Sequence, residues 1–131
     1  MIVTLLWMAV IFAFSNQANS GHITEACFHA ANVPVRKLGH ISEFAILALL
    51  YFQTITAFRR GAGQGDFEPK PLRTALQALL LAFAWACLDE VHQSFVPGRS
   101  AAFSDVLIDT SGMVLALSAR HWLCGRRESR S

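Results

Sequence analysis

The chain has 131 residues, 53% of them hydrophobic and 15% charged, with a formal net charge of +2. That length makes one domain, and the composition is oilier than the soluble average of about 45–50% apolar and about 25% charged residues. So small a charge, with no basic stripe interleaved with aromatics, argues against a nucleic-acid partner, and Cys27, Cys87 and Cys124 fit neither a disulfide framework nor a zinc signature.

Met1 to Phe14 is apolar apart from Thr4. As a helix at about 1.5 Å per residue it reaches only ~20 Å, against a hydrocarbon core of about 30 Å. It spans only by continuing through Ser15, Asn16 and Gln17, or if the true start lies upstream. A cleaved signal peptide ending at Ala18-Asn19-Ser20 is the competing reading, and the lack of Lys or Arg before the apolar run argues against it. Asn16 to Lys37 reads as a polar loop. His22, Glu25, Cys27 and His29 crowd there, but their irregular spacing suits a solvated surface better than a metal.

Leu38 to Phe58 is long enough to span, with His40, Ser42 and Glu43 in its first turns and Arg59-Arg60 closing it. Gly61 to Arg73 has the Gly and Pro content of a loop between spans. Leu72 to about Gln93 is apolar all round at its centre, which favours a membrane or a deeply buried helix. Val96-Pro97-Gly98-Arg99 then reads as a tight turn. Ser104 to Leu123 is the last helix, with Ser104 as N-cap and Asp105 in the first turn. Its Gly112 and Ala116 follow the small-xxx-small spacing of closely packed membrane helices. The expected fold is all-α: an integral membrane bundle of four transmembrane helices, about 1–17, 37–58, 72–93 and 104–123, with short loops.

Of the 11 basic residues, Arg59, Arg60, Lys70 and Arg73 lie between helices two and three, and Arg120, Arg126, Arg127 and Arg130 lie in the C-terminal tail. The positive-inside rule puts both segments, and so both termini, in the cytoplasm. The polar helix ends then meet at the outer face. Arg36, His40 and Glu43 share a helical face, as do Asp89, His92 and Gln93, and Asp105, Asp109 and Gly112, while Glu90 points roughly 100° from Asp89. Three such stripes at one depth imply a polar pocket, because carboxylates facing lipid are costly.

These residues carry a resemblance. Phe14-Ser15-Asn16-Gln17, Arg36-Lys37 with His40 and Glu43-Phe44, and above all Asp89-Glu90 with Gln93, Phe95, Pro97-Gly98-Arg99, Asp105, Asp109 and Gly112 resemble the VanZ-like family of bacterial membrane proteins, named for glycopeptide (teicoplanin) resistance. The chain departs from the pattern at Asp109, where many relatives carry Asn, and at Phe44, where they carry an aromatic hydroxyl. The resemblance implies a small multi-pass protein of the bacterial inner membrane linked to the cell envelope, with no settled reaction.

Three chemistries compete for the pocket. His40 with Glu43, and Asp89 with His92, have the i, i+3 spacing of bundle metal sites. Salt bridges to Arg36, Lys37 and Arg99 neutralise the same acids without an ion, and no HExxH or Cys/His quartet is present, so neither a metal nor a cofactor is expected. An enzyme, a membrane hydrolase or transferase, would use His40 as general base with Asp89 and Glu90. No Gly-x-Ser-x-Gly elbow or P-loop supplies a nucleophile or phosphate cradle, so whether the protein is an enzyme stays open. The third chemistry is binding, by Arg36, Lys37, Glu43, Gln93, Arg99, Asp105 and Asp109, of a membrane lipid or lipid-linked cell-wall precursor carrying phosphate. An accessory subunit whose polar cluster only holds helices together is the remaining alternative. Arg99, after the Pro97-Gly98 turn, is expected to fold back over Asp89, Glu90 and Asp105 and hold the pocket together.

Overall fold

A computed structural model describes residues 1–17, 32–62, 71–97 and 102–128. All regular structure there is helical: α1 (Ile2–Ser15), α2 (Asn32–Gly61), α3 (Pro71–Gln93) and α4 (Phe103–Glu128). α2 starts before residue 37 because Pro34 falls in its first turn, where a missing N–H costs nothing. Pro71 opens α3 at the position proline favours. α4 runs beyond Leu123 into the basic tail, where the Arg126 guanidinium lies 3.7 Å from the Trp122 ring one turn back. Ser104, expected as the N-cap, is instead inside α4, its hydroxyl 3.5 Å from Asp105 Oδ1.

The helix ends are closed locally. The Asn16 N–H bonds Phe12 O at 2.9 Å and finishes α1. After α3 the N–H groups of Phe95 and Val96 reach back three residues, to His92 O at 3.0 Å and Gln93 O at 3.1 Å. This tightened turn uses carbonyls that a helix end would otherwise leave open, just before Pro97, which has no N–H to give.

Each helix runs opposite to the one before it. Near the C-terminus of α2, Arg59 Nη1 donates to Thr74 Oγ1 at 2.9 Å and Nη2 to Gln77 Oε1 at 2.5 Å, both at the start of α3. At the other end of α3, Ser15 from the end of α1 meets Asp89, and the N–H of Ala102, just before α4, donates to Glu90. α2 and α4 share the largest interface, and among the described residues α1 packs on α2 and α3 but not on α4. Thr4 Oγ1 and Thr54 Oγ1 lie 2.8 Å apart, and Trp7 Nε1 donates to Glu43 O at 2.9 Å, which fixes α1 on α2.

The core is one stripe per helix. α3 buries Thr74, Ala78, Ala82, Ala86, Asp89 and Gln93, a line of small residues ending in two polar ones. Against it stand Phe44, Leu47, Ala48 and Phe52 of α2 and Val106, Met113 and Leu117 of α4. Alanine at every fourth position lets the backbones approach. The outward faces are apolar too: Leu72, Leu80 and Leu88 of α3 and Leu115 of α4 are 61–68% exposed. Two stretches, Lys37–Gly61 and Pro71–Gln93, are long and apolar enough to cross a membrane; α1 is apolar but shorter.

Candidate polar site at one end of the bundle

The end of α1, the start of α2, the end of α3 and the start of α4 come together, and each contributes polar side chains. The centre is Asp89, 5% exposed. Its Oδ2 accepts hydrogen bonds from Ser15 Oγ and from Gln93 Nε2, both at 2.7 Å. Gln93 Nε2 also lies 3.3 Å from Ser15 Oγ, which closes a buried three-residue cluster. Asp89 and Gln93 continue the alanine stripe of α3, so the periodicity that packs the helix also aims them inward.

Asp109, 4% exposed, is the second buried acid. His40 Nδ1 stands 3.9 Å from its Oδ2, too far for a full hydrogen bond. One turn further along α4, Gly112 makes this approach feasible. A Cβ there would sit 2.7 Å from Ile41 Cγ2 and 2.8 Å from Ile41 O, so only glycine lets α4 lie directly on the α2 backbone beside His40. The His40 ring also stacks near Phe44, with centroids 6.4 Å apart.

A half-exposed rim surrounds these groups. Lys37 Nζ lies 3.7 Å from Asp105 Oδ1. Glu90 points away from Asp89 and accepts the Ala102 N–H, so an acid from α3 tethers the residue that leads into the positive end of α4. The His92 ring lies 4.5 Å from the Phe12 ring, and its Nε2 is 3.3 Å from Asn16 Oδ1. Asp105, Asp89, Glu90 and Glu43 all lie within electrostatic reach of Asp109.

Asp89 Oδ1 and Asp109 Oδ1 are both fully buried with no hydrogen-bond partner among the described residues. An unsatisfied buried acceptor costs about 1–3 kcal/mol, more when charged. Two such oxygens stand in one cluster without a donor among the described residues. No three His, Cys, Asp or Glu side chains converge as a metal site among the described residues.

The candidate residues fall into three groups. Lys37, His40, Asp89, Glu90, Gln93, Asp105 and Asp109 gather at this end of the bundle, and Glu43 lies one turn below His40, its carbonyl holding Trp7. The Arg36 side chain and the whole of Arg99 lie outside the described residues, and so does the bridge expected of Arg99. Ser15, part of the family resemblance, is not among the candidate site residues because it reads as a helix end, yet it is 1% exposed and bonds Asp89. Its spacing from Thr4 and Ile11, the other buried residues of α1, is the signal that points to it.

No curated protein and no solved structure matches the chain. The VanZ/LLP1 family model matches residues 1–123, which takes in all the polar helix ends just described. The chain belongs to the VanZ/LLP1 family.

Proposed function

We propose that this is a four-span protein of the bacterial inner membrane, with both termini in the cytoplasm, whose polar end faces the outer leaflet. There it binds a phosphorylated lipid or lipid-linked cell-wall precursor and so affects glycopeptide (teicoplanin) susceptibility. The observation that carries this reading is the pair of buried carboxylate oxygens on Asp89 and Asp109 that have no partner among the described residues, in a cluster built from all four helices. A buried acceptor left unsatisfied calls for a physical explanation, and a ligand's donors supply one. Lys37, with Arg36 and Arg99, supplies the cations for phosphate, while the two acids accept from hydroxyl or amino groups of the same ligand. Wall precursors carry both kinds of group. The outward-facing leucines of α3 and α4 support immersion in lipid, since a contiguous apolar surface of this kind marks a membrane or a partner.

His40 beside the buried Asp109 favours one second reading, a membrane hydrolase or transferase. A base oriented by a carboxylate is a common acid–base arrangement. In that case His40 moves the proton, and Asp89, held by Ser15 and Gln93, and Glu90 bind substrate. A cluster that only holds an accessory subunit together predicts loss of protein, not of ligand, when it is altered.

The test is mass spectrometry of lipids that co-purify with the protein, comparing the parent with Asp89→Asn and Lys37→Gln. The parent should retain a phosphorylated, envelope-derived species that both variants lose at unchanged protein yield. Equal retention in Asp89→Asn removes the site from the reading; loss of folded protein in both variants favours the structural role.

A further inference from the structure

At the end of the bundle opposite the polar site, α2, α3 and α4 leave a groove of about 510 Å³ between them. That is within the range of about 300–1,000 Å³ usual for small-ligand sites. Leu72, Leu76 and Leu79 of α3, Val114 and Leu117 of α4 and Phe52 of α2 line it. Arg120 and His121 also stand in its wall and supply a fixed cation and an imidazole. Among the described residues no acid lines it.

We infer that this groove holds an acyl chain of an anionic phospholipid, with the headgroup against Arg120 and His121. The inference rests on the reading of the bundle as membrane-embedded but uses no residue of the polar site. The lining is apolar along the helices and cationic at one end, which is the polarity of an anionic lipid and not of a neutral one. Arg120 is well presented to a headgroup. Its guanidinium lies 3.7 Å from the Phe52 ring centroid, so the ring holds the planar group in place, and among the described residues no hydrogen bond engages its N–H edges, which suits them to phosphate. Arg59, at the same end, is by contrast bound to Thr74 and Gln77 and serves the packing of α2 on α3. Arg73, Arg60 and Arg126 add positive charge around this end without lining the groove.

Native mass spectrometry of the full chain in detergent, titrated with phosphatidylglycerol or phosphatidylcholine, tests this. The parent should retain phosphatidylglycerol over phosphatidylcholine. Arg120→Gln combined with His121→Gln should cut that preference by on the order of fivefold or more, the worth of one cation at a lipid headgroup. Val114→Trp, at a lipid-facing residue, should fill the groove and remove both lipids, while Arg126→Gln, outside the lining, should bind like the parent; circular dichroism checks that each variant is helical. Equal retention of the two lipids by the parent, or unchanged retention in folded Val114→Trp, overturns the inference. A dimer peak that Val114→Trp abolishes also overturns it, because the groove is then occupied by a second copy of the chain. Failure here leaves the polar site untouched: a ligand of that site is lost with Asp89→Asn and kept with Val114→Trp, and the groove lipid shows the reverse.

Discussion

Ser15 and Gly112 show how single atoms set the geometry of the polar end. The Ser15 hydroxyl is one of two donors to the buried oxygen Asp89 Oδ2, at 2.7 Å. Removing it leaves a buried carboxylate with one partner fewer. Ser15→Ala should therefore cost about 1.5–3 kcal/mol, the range for hydrogen bonds to charged groups. Ser42→Ala, which loses only an exposed bond to Leu38 O at 2.8 Å, should stay within about 0.5 kcal/mol of the parent. Denaturant unfolding in detergent measures both, and equal effects would mean that the Asp89 cluster contributes nothing special. Gly112 can be tested against Gly39. An added methyl at Gly112 meets Ile41 O at 2.8 Å, and a backbone oxygen cannot swing aside as a side chain does. Gly112→Ala should destabilise by about 1–3 kcal/mol and weaken any function that depends on His40 and Asp109 being adjacent. Gly39 has nothing within 4 Å, so Gly39→Ala should be neutral or stabilising by up to about 1 kcal/mol through helix propensity. A thermal shift of the same sign and size for both would refute the close approach.

At the scale of elements, α1 is the one whose role in the mature protein differs most between readings. As a leader it would be cut away; as a bundle helix it is needed. Its buried residues Thr4, Ile11 and Ser15 each face a partner element, Trp7 reaches the α2 backbone, and Tyr51 OH donates to Met8 Sδ at 3.2 Å. Intact-mass measurement of the purified protein should accordingly include residues 1–17; a mass beginning near Gly21 would remove a wall of the polar site. The other elements differ in how far they are legible in the sequence. α2 and α3 announce themselves by long apolar runs, and Asp89 and Gln93 stand out because ionisable or amide groups are rare in such runs. What the sequence does not disclose is which partner each polar group finds. Glu90 turns to the Ala102 backbone because the α3–α4 connection brings that N–H to it, a fact of tertiary geometry. Ser104 yields the start of α4 to Phe103 and lies inside the helix. The alanine line of α3 is legible by its spacing of four but looks like ordinary helix-forming sequence until the neighbouring helix is seen against it.

The whole molecule has opposite electrostatic ends, and this decides how it should sit in a membrane. Asp89, Glu90, Asp105 and Asp109 crowd one end; Arg59, Arg60, Arg73, Arg120 and Arg126 occupy the other. Cationic ends stay cytoplasmic, because Lys and Arg near spans resist translocation whereas acids contribute little. α4 fits the proposed four-span arrangement although its apolar character falls short of α2 and α3: Asp109 is buried, and the exposed face carries Leu107, Val114 and Leu115. As a span of the proposed bundle, α1, at 14 residues, would reach only ~21 Å and would need local thinning of a bilayer about 30 Å thick, or polar residues drawn into its end. Reporter fusions at Ser131 and within Gly61–Gly65 should therefore both signal cytoplasm. A periplasmic signal from both would invert the bundle, leave it intact, and put Asp89 and Asp109 at the inner leaflet, where a lipid-linked wall precursor assembled on the cytoplasmic side would be the ligand to seek. A periplasmic signal from only one would mean that α3 and α4 do not both cross. The polar ends of all four helices would then no longer meet at one membrane face, and the shared site built on Ser15, His40, Asp89 and Asp109 would fall with them.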